Sequence, residues 1–499
     1  MDDMSQGLAP PETALRRPVR RWWRTAIPLA IALVLALIPP PPGLAQHAWY
    51  YFALFAGVVA ALMTEPLPNA AVGLAGLSAA GLLSRWVLFD PIDQARQGFN
   101  IVSQTVNWML SGFASTTVWL VASAFMFALG YQKTGLGRRV ALLLVRALGR
   151  NTISLGYACA FSDAVMAPFT PSNTARGAGI IFPIVINLPP LYESYPNDPS
   201  ARRIGGYLMW TSFAACCVTS TLFMTALAPN FLAIEFIRKI AHVDIGYGAW
   251  MRASLPFALP LLLALPLLSF VFYRPQVIRS AAASEWAVRE LKAMGPVSRP
   301  ELMLAVLVVG AILLWVLAGS WMDPTLATFV VLSLMLVTGV LTWEDMAKNH
   351  AAWSTLVMLA SLVTMADGLA RAGFIKWFAS YVAAHIGGMP PGLMIMVLVA
   401  VYFLSHYMFA SLTAHTTAMM PVMLGVGLAI PGMPAAQLAM GLAMTSGIMG
   451  VITPYATGAA PPYYNSGYIP SGDFWRLGAI FGLIFLVALL GIGLPLLPG

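Results

Sequence analysis

The stretch "APFTPSNTARGAG" runs from Ala167 to Gly179, and "FASLTAHTTAMMP" runs from Phe409 to Pro421. Their cores read Ser172-Asn173-Thr174-Ala175-Arg176 and Ser411-Leu412-Thr413-Ala414-His415. Each polar phrase interrupts an apolar segment, residues 153–190 in one case and 392–430 in the other. The arms on either side are about 15–18 residues long, short of the roughly 20 that cross a bilayer. Two short helices meeting at a polar, proline-broken tip read as a re-entrant hairpin. Such backbone is tolerated at membrane depth only where protein or a wet cavity satisfies it.

The rest of the chain agrees. Of 499 residues, 59% are hydrophobic and 9% charged, and the mean hydropathy is +0.78. A soluble domain carries about 25% charged residues. The composition excludes a soluble globular protein and predicts an all-α polytopic membrane protein of about 11 transmembrane helices plus the two hairpins. Long apolar runs in place of alternating ten-residue segments exclude a β-barrel. Cys159, Cys216 and Cys217 lie in apolar surroundings with no ligand-like spacing, so neither a disulfide nor a metal site is expected. No nucleotide loop or redox motif is present, so no cofactor or nucleic-acid partner is expected either.

The net charge of +8 reads as membrane topology. Arg16, Arg17, Arg20, Arg21 and Arg24 precede the first apolar run, which suits a cytoplasmic N-terminus over residues 1–25 and a retained first helix over 26–47. A signal peptide would share this layout, but nothing downstream looks like a secreted domain. Basic loops at 131–150, 202–203 and 274–299 all fall inside if the first hairpin enters from the cytoplasm and the second from outside. Segment 274–300 is the expected cytoplasmic linker between 48–273 and 301–499. Stretches 131–150 and 371–386 look amphipathic and interfacial.

The two halves repeat. Thr116 to Gly137 aligns without a gap on Ser354 to Ile375, matching Ser123 to Ser361, Lys133 to Arg371 and Gly135 to Gly373. The hairpin tips follow in the same order. Hairpins entering from opposite sides make the repeat inverted, a transporter pattern with its substrate site near the midplane.

The tips carry the chemistry. A helix N-terminus at a hairpin tip favours an anion. Ser172, Asn173, Thr174, Ser411 and Thr413 add short donors. Arg176 forks onto carboxylates, and a charge inside a bilayer costs at least about 2.5–3.5 kcal/mol, so its default reading is functional. His415 holds the corresponding place in the second tip. Downstream of each hairpin an apolar run is broken by proline and hydroxyls, "TSTLFMTALAPN" from Thr219 and "GVITPYATGAAPPYYNSGY" from Gly450. Thr225, Thr453 and Pro454 are the candidates there. Asp163 is placed to orient Arg176, to carry a proton or to form a structural salt bridge, and His406 to support the second tip.

Paired serine–asparagine–threonine tips on inverted hairpins mark the divalent anion/sodium symporter family, which this chain resembles from about residue 48 to the end. "TPSNTARGAGIIFPI", "SLTAHTTAMMP" and "ITPYATG" look most like its branch of bacterial citrate/succinate and tartrate/succinate antiporters and 2-oxoglutarate/malate translocators. The resemblance implies a homodimer in the inner membrane. Each protomer would have a scaffold domain and a transport domain that carries a di- or tricarboxylate by an elevator motion. It implies binding roles for Ser172, Asn173, Thr174, Ser411, Thr413, Thr453 and Pro454, and no enzymatic activity. One departure stands out. Sodium-coupled members have asparagine in the middle of both tips, and here the second has Leu412, which offers no oxygen to a hard cation. Arg176 and His415 are therefore expected to replace sodium with fixed charge, giving sodium-independent exchange. The rival readings are a sodium-coupled symporter of the same fold and an intramembrane hydrolase built on Ser172 or Ser411 with His415 or His406.

Overall fold

The computed structural model describes residues 22–279, 281–317, 322–385 and 389–497. The arginines at 16, 17, 20 and 21 lie outside the described residues. The first helix, α1 (Trp23–Leu37), starts earlier and ends sooner than 26–47, because the proline run from Pro39 to Pro42 cannot continue it. α2 (Gln46–Thr64) returns beside it, and the Thr64 hydroxyl donates to the Arg24 carbonyl, so both ends lie on one face. α3 (Asn69–Leu82) and the pair α4 (Ile101–Ser111) and α5 (Thr116–Thr134) follow. The amphipathic α6 (Leu136–Leu148) comes next.

The first hairpin is α7 (Thr152–Met166), a tip over 170–173, and a returning arm α8 (Thr174–Ile181), which continues helically through Phe182–Val185. α7 is started by Asn151, whose side chain accepts from the Ser154 N–H at 2.8 Å. α8 is wound in wide i→i+5 turns, a geometry that concentrates at functional sites. Next come α9 (Gly205–Leu222) and α10 (Ala228–Ile240), separated by a break, then α11 (Tyr247–Phe272).

α12 (Ala282–Met294) and α13 (Arg299–Leu317) meet at 110° and open the second half. There α14 (Pro324–Val337) and α15 (His350–Arg371) precede α16 (Phe374–His385). The second hairpin is α17 (Pro391–Ser405) and α18 (Leu412–Leu428). α19 (Ala435–Ile448), a second break and α20 (Ser471–Ala488) complete the chain.

Among the described residues seven helices are long and apolar enough to span a membrane, or eight if the bent α12–α13 pair counts as one. Further apolar helices of 10–17 residues, including α1, α3, α18 and α19, fall below that length. Eleven apolar segments are legible in the sequence, but prolines and tips cut several into pieces too short to cross alone.

The repeat is visible in the backbone. Gly135 ends α5 at φ +79°, and its sequence partner Gly373 follows α15 at φ +88°. A left-handed turn after the helix needs glycine at both places. The elements fall into two packed groups. α15 packs on α3 and α5, α14 packs on α5, and α2 packs on α3 and α15, while the hairpins pack with α9, α10, α11 and α19. α10 lies at the seam, packing on α18 and α19 on one side and on α5 and α15 on the other. Every residue of α9 is buried.

Candidate functional site

The serines of the two tips do the same local work. Ser172 Oγ accepts from the Ala175 N–H at 3.1 Å, and Ser411 Oγ accepts from the Ala414 N–H at 3.3 Å. Each is the cap that starts its returning arm, which is why the phrase recurs with serine first and alanine three places on. The hydroxyl hydrogen of a capping serine is left to donate elsewhere.

The break between α9 and α10 is stitched to the first tip. Pro229 starts α10 without an N–H, and the Ala228 N–H donates to the Pro171 carbonyl at 2.9 Å. Asn230 Nδ2 donates to the carbonyls of Ser220, Phe223 and Met224 at the break. The tip also reaches the second half, where Asn173 Nδ2 donates to Thr457 Oγ1 at 2.7 Å.

These pieces enclose a cavity of about 300 Å³. Ser172, Asn173 and Thr174 line it from the first tip, and Ser411, Leu412 and Thr413 from the second. Ala228 and Pro229 line it from the start of α10, and Thr457 and Gly458 from the second break. Three helix N-termini, those of α8, α10 and α18, thus meet at one small polar hollow. Each turns the positive end of a helix dipole toward the hollow, and the first turns of α8 and α18 add backbone N–H groups, so the wall suits an anion without any cationic side chain in it.

Arg176 and His415 lie behind this wall. Neither lines the cavity, and both are fully buried. Arg176 Nε donates to Asp163 Oδ2 at 2.9 Å. Its Nη1 donates to the carbonyls of Thr170 and Ala226, at 2.9 and 3.1 Å. Its Nη2 reaches Ser220 Oγ at 3.0 Å, Thr219 Oγ1 at 3.3 Å and the Cys216 carbonyl at 3.4 Å. Thr219 Oγ1 also donates to Asp163. The guanidinium occupies the point where carbonyls freed by the tip and by the break converge. A residue four places after the capping serine sits one turn along the arm and faces inward, so it needs a buried counter-charge, which Asp163 supplies.

The second half is not a copy. His415 Nε2 lies 2.9 Å from Ser405 Oγ, with its ring packed on Tyr402, Phe409 and His406. The imidazole that reaches the second break is His406, whose Nε2 lies 2.9 Å from the Ala456 carbonyl. In its tie to a broken helix, His406 is the counterpart of Arg176, and the sequence alignment alone points instead to His415.

The break candidates are also set back. Thr225 and Thr453 are buried with no hydrogen-bond partner for Oγ1 among the described residues, and neither they nor Pro454 line the cavity. Thr457 and Gly458, in the same "ITPYATG" phrase, take the wall position. Sequence reasoning also missed the opposite wall, formed by Phe125 of α5, Thr355 and Met358 of α15, and Glu65 at the end of α2. No periodic signal marks those residues; Glu65 is announced only by a charge and a proline closing an apolar run.

Residues 19–496 match the family described as the sodium:sulfate symporter transmembrane region. The chain is 45% identical over 482 residues to the L-tartrate/succinate antiporters of Escherichia coli (strain K12) and Shigella sonnei, covering 97% of this chain and 99% of each relative. Among solved structures, the Alcanivorax borkumensis YdaH transporter superposes with a TM-score of 0.52 at 15% identity, over 85% of this chain and 96% of that one, a likeness of fold alone.

Proposed function

Because this chain belongs to the sodium:sulfate symporter family, we propose that it exchanges di- or tricarboxylates across a bacterial inner membrane, with a C4-dicarboxylate pair such as tartrate and succinate first among the cargoes. The observation that carries this reading is the cavity walled by both hairpin tips and three helix N-termini. A dianion held there takes one carboxylate to each tip, with donors from Ser172, Asn173 and Thr174 on one side and Ser411 and Thr413 on the other. The antiporter relatives, alike over nearly the full length, support exchange as the mode.

Coupling without sodium follows from what fills the convergence of carbonyls. A hard cation needs those oxygens, and in the first half Arg176 already takes them. In the second half Leu412 stands in the cavity wall where a side-chain oxygen is wanted. Asp163 neutralises Arg176, so the field that the dianion answers comes mainly from the helix termini and from donors fixed in the protein. An empty carrier cannot shed that field as it would shed sodium ions. Donors left unanswered in a low-dielectric constriction cost about 1–3 kcal/mol each, and a few of them together slow the empty return by orders of magnitude. The loaded carrier moves freely, and obligate exchange is the result.

With a cytoplasmic N-terminus, α1 runs outward and α2 returns, which puts Glu65 on the cytoplasmic side of the cavity. The hairpins with α9, α10, α11 and α19 are the moving unit, the α3–α5–α14–α15 group is the scaffold, and the protein works as a homodimer. The buried, unpartnered hydroxyls of Thr225 and Thr453 are what favours a sodium-coupled symporter instead. Counterflow in proteoliposomes separates the two. Tartrate or succinate uptake should require an internal dicarboxylate and stay unchanged from zero to saturating sodium. Sodium-stimulated uptake into vesicles with no internal dicarboxylate would overturn the proposal.

A further inference from the structure

Glu65 is out of place. It is the charged residue among those lining the cavity, and its charge has the same sign as the proposed cargo. It is exposed, and no described residue hydrogen-bonds or ion-pairs its carboxylate. The backbone beneath it is also unusual, since Glu65 caps α2 at φ +49°, ψ +56°, and Pro66 follows. A non-glycine residue in the left-handed region before a proline is held there against its own preference, and such strain gathers at functional sites. The conformation turns the chain sharply at the end of α2, and the carboxylate that it carries borders the hollow opposite the two tips.

We propose that Glu65 is a specificity-determining residue that restricts the cargo to two carboxylates. The deduction rests on the exchange reading above. The tips hold both ends of a dicarboxylate on one side of the cavity. Any third carboxylate must project from the middle of the molecule, and the scaffold wall that it meets carries Glu65. Two like charges a few ångströms apart in a partly wet cavity change binding by roughly tenfold or more. Hydroxyl or hydrogen substituents at the middle carbons, as on tartrate or succinate, meet no such repulsion, and a hydroxyl has an acceptor to donate to. The filter stands on the scaffold rather than on the tips, so it tests the cargo without adding negative charge to the unit that carries it.

The test is equilibrium binding of succinate and of citrate to the purified full-length protein in detergent at pH 8, where citrate is fully ionised, alongside succinate counterflow in proteoliposomes. The wild type should favour succinate over citrate. Glu65→Gln should raise the citrate-to-succinate affinity ratio about tenfold, and Glu65→Asp should keep it low. Glu65→Asn, which tolerates the left-handed backbone, gives the same reading should Glu65→Gln fold poorly. An unchanged ratio in the neutral variants would overturn the assignment, as would wild-type protein that binds citrate as tightly as succinate. Failure of the exchange reading looks different: succinate binds selectively, yet no counterflow follows.

Discussion

Taking away the guanidinium of Arg176 strands Asp163 where water does not reach. Both side chains are buried, and Asp163 Oδ1 has no partner among the described residues. Breaking one side of such a pair costs about 3–5 kcal/mol, whereas replacing both sides with neutral groups is far milder. Arg176→Ala should therefore lower the melting temperature in detergent and abolish exchange. The double variant Asp163→Asn with Arg176→Gln should recover much of the stability but little of the exchange, because a neutral amide does not fill a cation's place among the carbonyls of Thr170, Ala226 and Cys216. Exchange that returns along with stability would reduce Arg176 to a structural role. The sequence marked Arg176 through the cost of burying a charge, and that argument needs no coordinates. It did not tell that the charge lies behind the cavity wall. Facing depends on how the arm winds and where Asp163 lands, and for the same reason sequence alone does not show that His406 rather than His415 reaches the second break.

At the scale of elements, the second break works by closeness. A β-carbon built on Gly458 would fall 2.4 Å from Thr174 Oγ1 and 3.3 Å from its methyl group, so the tip and the break touch across the inverted halves only because Gly458 has no side chain. Gly458→Ala should push Thr174 off its position and cut exchange at least tenfold with little loss of melting temperature. Gly472→Ala at the start of α20, where a β-carbon meets nothing within 4 Å, should leave exchange at the wild-type rate. Equal activity in the two variants would mean that the contact does not matter. Hairpins and breaks were legible because prolines and hydroxyls stand out against apolar runs. Helix ends and the pairing of Asn173 with Thr457 were not, because a contact across 284 residues leaves no periodic trace.

For the molecule as a whole, the elevator reading requires the seam between the two groups to slide. α10 belongs to the unit with the hairpins and packs on α15 of the other. At that seam Lys239 Nζ lies 4.0 Å from Asp367 Oδ1 and 3.4 Å from the Val363 carbonyl, a weak tie between partly exposed groups that a sliding contact can break and remake. Tying it covalently should stop the cycle. Cys159, Cys216 and Cys217 are all buried, so a double variant Lys239→Cys with Asp367→Cys adds the accessible thiols that a reducible bifunctional reagent needs. Treated double variant should lose counterflow and regain it on reduction, while each single variant treated alike keeps its rate. If the cross-linked protein exchanges dicarboxylates as fast as the untreated double variant, α10 and α15 do not move past each other, and access must alternate by local opening of the tips around a fixed site.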